Sequence, residues 1–218
     1  MPLIFIVKIE IVGKLMKQRE QNKLIRHFDY YFGQNNSSVL HSVCQEEYHV
    51  DVLKYEPNEK YPFYKLVTMG ASDYKLPKVK NSLSQYNEYI MFVDKTEDLS
   101  DKKVLNWYLD KLMIFARFAY DQKINVSYGH SFEWTNQDQS DEMIAGYLTF
   151  PQVIDSVGVL WCKVGMFKTV TCLQTVLLNK EELEILKRIG NKDFDEYLYS
   201  EDGKIKMFLS ERKRSQKF

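Results

Sequence analysis

Five consecutive apolar residues, Tyr89-Ile90-Met91-Phe92-Val93, leave an extended chain no polar face to turn to water. Successive side chains of a strand point to opposite faces of its sheet. A run of this kind is therefore stable only where both faces are covered, and it reads as a central strand, Tyr86–Val93. Glu88 sits at its start, and a carboxylate on a covered strand is costly unless hydrogen-bonded or paired. It is either a structural acid bonded to loop amides or part of a functional cleft.

Around this strand the pattern changes repeatedly. Leu24, Ile25, Phe28, Tyr31 and Phe32 recur at helical spacing within Lys17–Phe32, and Gly33 is a natural stop. Val39–Val43 and Tyr48–Tyr55 read as strands, and Phe63–Ser72 as a strand ending in a turn at Gly70. Asp73–Ser84 has the composition of an exposed loop. Ser100 is placed to cap a helix whose Leu105, Tyr108, Leu109, Leu112, Phe115, Ala116 and Ala119 form one stripe. Strand-like segments follow at Ile124–Tyr128 and Met143–Phe150. Val157–Val164 and Phe167–Leu178 suggest a hairpin about Gly165, the second member alternating as a half-buried strand does. Asn179 with Glu182 three residues on forms a capping box for a helix stopping at Gly190. Asp193–Tyr199 reads as a short helix and Lys204–Leu209 as a last edge strand. Strands outnumber helices, and hairpins are more evident than βαβ units. The expected class is α+β, with a mixed, largely antiparallel sheet packed against helices. Residues 16–210 read as a single domain and 211–218 as a basic tail. Residues 1–15 read as an extension ahead of a natural start or as an edge strand at Leu3–Val12.

With 218 residues, 44% hydrophobic and 14% aromatic, the chain has ample material for a core without disulfide or metal staples. Thirty basic residues balance thirty acidic ones, which argues against a dedicated nucleic-acid binder, whose affinity comes largely from neutralising phosphates. Cys44, Cys162 and Cys172 are an odd set without CxxC spacing and fit a reducing interior. The apolar start is broken by Lys8 and Glu10 and fits neither a membrane span nor a signal peptide. A cytoplasmic location is expected.

Catalytic signatures are weak. The nine glycines never cluster as a phosphate-cradling loop requires. Gly70-Ala71-Ser72-Asp73-Tyr74 lacks the second glycine of a nucleophile elbow, so Ser72 is a poor nucleophile candidate. His41, Cys44 and His49 lack a fourth ligand, and His41 and Cys44 fall on opposite faces of an extended segment. His130, three residues before Glu133, suits either a general base oriented by a carboxylate or a ring bonded to the backbone of the following turn. The expectation is a non-catalytic protein without cofactor or metal.

Phe63-Tyr64-Lys65-Leu66-Val67-Thr68-Met69-Gly70-Ala71-Ser72 resembles the signature strand and turn of the suppressor of fused (SUFU) domain family, with Tyr64, Thr68, Gly70 and Ser72 as motif positions. Tyr86-Asn87-Glu88-Tyr89-Ile90-Met91 is similar to its Glu-containing second strand. Trp107 through Leu112, with Ala116 and Arg117, resembles its Trp-led helix, and Gly129-His130 its Gly-His pair. Leu173-Gln174 through Asn179, with Glu182-Leu183, is similar to its closing strand and helix. The resemblance covers roughly residues 20–200. Ala71 stands where the family often has methionine, and Leu177 where proline is common. The chain looks like the single-domain bacterial form.

That resemblance implies a mixed α/β sandwich, no catalysis and stoichiometric protein binding. Bacterial members are commonly immunity proteins or antitoxins that bind a cognate toxin, often a nuclease, whereas animal members are regulatory binding proteins. The charge pattern suggests a face. Asp94, Glu97, Asp98 and Asp101 cluster in one loop and Asp138, Asp141 and Glu142 in another. Either group is suited to fill the basic groove of a nuclease, or is an ordinary solvated loop. A non-toxin-linked regulatory or scaffold domain, and a hydrolase using His130, are the alternatives.

Overall fold

The computed structural model describes residues 3–33, 37–40, 49–80, 82–135, 141–200 and 209–212. His41, Cys44, Asp138, the expected strand at 204–208 and the tail from 213 lie outside the described residues.

In chain order, helix α1 (Leu3–Phe32) leads into strands β1 (Ser37–Leu40), β2 (Asp51–Tyr55), β3 (Phe63–Met69) and β4 (Asn87–Asp94). Helix α2 (Lys102–Asp121) is followed by β5 (Ser131–Glu133), β6 (Ala145–Thr149), β7 (Trp161–Lys163) and β8 (Thr169–Leu178), then by α3 (Lys180–Ile189) and α4 (Asn191–Ser200). The eight strands form one sheet in the order β1-β2-β3-β4-β8-β6-β5, with β7 also paired to β8. Every pairing is antiparallel except β4 with β8, which runs parallel from Asn87 opposite Thr171 to Met91 opposite Thr175. The class is α+β, as expected.

All eight residues of β4 are buried. On one face Ile90 and Phe92 join Leu24, Phe28 and Phe32 of α1, Leu183 and Leu186 of α3, and Phe194 and Leu198 of α4. On the other, Tyr89, Met91 and Val93 pack with Val104, Tyr108, Leu112, Phe115 and Ala119 of α2. Because helices cover both faces, β8 is buried along all but its first residue, not half-buried as its alternation suggested. Among its buried polar members, Thr175 Oγ1 donates to the Ile90 carbonyl at 3.2 Å.

Beyond Met91, where β8 leaves the edge of β4, the C-terminal segment takes over. Ser210 forms a parallel bridge with Val93, and its N–H donates to the Phe92 carbonyl at 2.7 Å.

Several local expectations are corrected. Leu3–Val12 is the start of α1, not an edge strand; no proline falls between Leu3 and Phe32, and the helix continues through. The cap of α2 is Asp101, whose carboxylate accepts the Lys103 N–H at 2.8 Å, while Ser100 turns back to Asp98. Ile124–Tyr128 forms no strand, because the chain there closes the end of α2 and then turns. Val157–Leu160 is a 3₁₀ turn, with only Trp161–Lys163 extended beyond it. The hairpin about Gly165 and the capping box of Asn179 and Glu182 are both present.

Candidate functional site

The motif residues fall into three separate places. The first lies beneath the turn that follows β3. Glu88, fully buried on β4, accepts four hydrogen bonds: from Thr68 Oγ1 at 2.6 Å, Gly70 N at 3.1 Å, Ser72 N at 3.0 Å and Ser72 Oγ at 2.6 Å. Burial pushes its pKa up, and these four donors pull the other way. Gly70 permits the turn through φ of 120°, and an added Cβ would come within 2.9 Å of the His49 carbonyl oxygen. Ser72 is 1% exposed and bonded to a buried acid, so its hydroxyl fastens the turn and faces no cleft. Of the two readings of Glu88, the geometry is that of the structural acid bonded to loop amides.

The second place is on α2. Trp107 Nε1 donates to Asp141 Oδ2 at 3.2 Å, and the same oxygen pairs with Lys111 Nζ at 2.5 Å. The Lys111 ammonium also lies 5.3 Å and 5.1 Å from the ring centres of Trp107 and Trp134. Tyr64 stands apart on β3, its ring 5.5 Å from Lys54 Nζ.

The third place is the turn carrying Gly129 and His130. Gly129 has φ of 82° and packs where a side chain would collide with Asn191 of α4. His130 Nδ1 accepts the Ser127 N–H at 3.1 Å, so the ring is bonded to the turn before it and not to the one that follows. Glu133, proposed as its orienting acid, pairs instead with Lys187 at 2.9 Å.

The acidic clusters are largely consumed by the fold. Asp94 accepts Thr96 N and Oγ1, both at 2.8 Å. Glu97 holds Arg212 through its backbone N–H at 3.0 Å and Nε at 2.9 Å, so the first loop is met by the chain's own basic segment. Asp101 caps α2, and Asp141 is the partner of Lys111. Asp98 and Glu142 are exposed; bonds from Ser100 hold Asp98 below the usual carboxylate range.

Two buried polar groups escaped sequence reasoning. Asp195 on α4 accepts from Tyr128 at 2.8 Å, Tyr147 at 2.9 Å, Thr149 at 3.3 Å and Gln152 at 3.1 Å, joining α4 to β6 and its flanking turns. Lys65, fully buried on β3, donates to the carbonyls of Glu56 and Tyr61, each at 3.0 Å. Burial pulls its pKa down to about 8. A lysine within the apolar strand Phe63–Met69 was the available signal for the second. Among the described residues no three His, Cys, Asp or Glu side chains are grouped to hold a metal ion. No described helix is long and apolar enough to cross a membrane.

These features converge on one class of domain. The family model of the suppressor of fused protein (SUFU) matches residues 46–213, and the chain belongs to that family. No curated protein matches the chain. Among solved structures it is similar to the Sufu–Fu complex, with TM-score 0.62 and 15% identity over 88% of this chain and 89% of that one. It is also similar to a SUFU homologue from Neisseria gonorrhoeae, with TM-score 0.61 and 11% identity over 89% and 94%. Drosophila Suppressor of Fused aligns with TM-score 0.60 and 15% identity over 81% of this chain and 46% of that one.

Proposed function

We propose that this SUFU domain acts by stoichiometric protein binding, as an immunity protein that neutralises a cognate, nuclease-type bacterial toxin in the cytoplasm without catalysing a reaction. The observation that carries the binding reading is the similarity over 88% of the chain to a SUFU structure solved as a complex with a protein, Fu. The toxin reading rests on what the family resemblance implies for single-domain forms. The absence of catalysis is supported by how the titratable groups are used. Ser72 and Glu88 bind each other in the interior, and Glu133 is paired away from His130. A regulatory or scaffold module without a linked toxin is the second reading, and it too is favoured by the Fu complex.

Co-expression separates them. Cells making the cognate toxin survive when the chain is supplied, and protection is lost once the toxin outnumbers the chain. Death despite expression of the folded chain removes the immunity reading and leaves the regulatory one. Protection by far less than one chain per toxin, through a turnover that His130→Ala abolishes with the fold intact, favours the hydrolase.

A further inference from the structure

One hollow, of about 260 Å³, opens beside the turn that carries Gly129 and His130. Its walls are Val79 and Leu83 from the loop before β4, and Tyr128 and Phe150, whose rings stack at 4.5 Å. Asn125 and His130 supply the polar groups. Val79 and Leu83 are 50% and 38% exposed, and Ile124, next to Asn125 in the chain, is 41% exposed. Apolar side chains gathered at a hollow mark an interaction site more often than the same residues scattered singly.

Asn125 is the unusual element. It is 7% exposed, and its Nδ2 donates to the carbonyls of Pro77 at 2.9 Å and Ser84 at 2.8 Å. One side chain thus clamps both ends of the loop bearing Val79 and Leu83, so the wall is held in place before any ligand arrives. Its Oδ1 is buried and no donor among the described residues reaches it. Buried acceptors of this kind are costly and uncommon, and a ligand carrying an N–H would relieve the cost. Because His130 Nδ1 is an acceptor, its proton is on Nε2, available for a carbonyl. Lys78 and Lys80, both exposed, flank Val79 and make the rim basic.

Small-molecule sites usually exceed about 300 Å³; this hollow suits one anchoring side chain. We propose that it receives a leucine-like side chain from an acidic loop of a protein partner, with a flanking amide N–H directed to Asn125 Oδ1 and a carbonyl to His130 Nε2. This deepens, and rests on, the reading of the chain as a protein-binding domain.

The test titrates the full chain with acetyl-Asp-Leu-Glu-amide and follows backbone amide shifts by NMR. Shifts are expected at residues 82–84, 125–130 and 150. Replacing the central Leu by Ala should weaken binding about tenfold, as loss of buried methylenes does. The acetyl-Lys-Leu-Lys-amide peptide should bind less well at low salt, and the gap should close as salt rises. Leu83→Ser and Val79→Ser should abolish the shifts, and Val157→Ser, outside the hollow, should leave them unchanged. Shifts elsewhere, or equal binding of the Leu and Ala peptides, overturn the proposal. So does full affinity of Leu83→Ser for a protein partner that the wild type binds, an outcome that leaves the protein-binding function standing. A wild-type chain that takes up the peptide at the hollow but binds no protein overturns the function and not the hollow.

Discussion

The hydroxyl of Thr68 donates to Glu88 at 2.6 Å while accepting the Tyr89 N–H at 2.8 Å. One side chain on β3 thereby satisfies both a buried carboxylate and a backbone amide of β4. Glu88→Gln places an amide N–H₂ among donors and is expected to destabilise by about 2–4 kcal/mol; Thr68→Val should cost about 1–2 kcal/mol. The double variant in urea unfolding should show a coupling of at least about 1 kcal/mol. Additive losses would mean that the two residues do not act together.

Lys65 gives the stability curve a specific alkaline feature. In the folded chain its ammonium loses a proton near pH 8, and in the unfolded chain near 10.5. Between those values the unfolded state holds more protons, so stability contributed by this residue rises with pH; below 8 both states are protonated and the contribution is flat. Cys162, raised to about 11, and Cys172 work in the opposite direction once free thiols ionise near 9. The difference between wild type and Lys65→Met therefore isolates the lysine. Measured by urea unfolding, it should shift in favour of wild type from pH 7.5 to 9.5 and stay constant from 6 to 7.

Acids that look alike in sequence should separate in function. Asp141→Asn leaves the buried Lys111 ammonium without its carboxylate and should destabilise by about 3 kcal/mol. Asp98→Ser removes an exposed charge whose hydrogen bonds lie within its own turn, and its unfolding midpoint should stay that of the wild type. Any effect of Asp98→Ser on partner association should shrink as salt is added.

Lys123 follows the C-terminus of α2 with φ of 50°, and the next N–H, from Ile124, returns to the Ala119 carbonyl at 3.1 Å. That position ordinarily favours glycine. Lys123→Gly should raise stability by about 0.5–1 kcal/mol, the relief of left-handed backbone exceeding the added freedom of the unfolded chain. An unchanged or lowered thermal midpoint would show that the backbone there is unstrained.

The parts of the fold legible in sequence are those set by neighbours along the chain. The apolar run Tyr89–Val93 announced a strand covered on both faces, and Asn179 with Glu182 announced a helix start, because each signal is complete within a few residues. The burial of β8 was not legible: its threonines alternate as on an open face, and only helices distant in sequence close that face. Asp195 was missed for a related reason, since its four donors come from residues 43–67 positions away. The acidic clusters were visible as composition, but the ion pairs that occupy them, Glu97 with Arg212 and Asp141 with Lys111, span 115 and 30 positions. Glu88 was legible as a problem, a carboxylate on an apolar strand, and the folded turn supplies its solution.

The most direct test of the account is a calorimetric titration of the chain into a purified toxin of the class that the proposed function assigns to it, with toxin activity followed in parallel. The account predicts that inhibition and heat saturate together at one chain per toxin, and that both components are recovered chemically unaltered. Complete inactivation at far less than one equivalent, with covalent change in the toxin or its substrate, would contradict it.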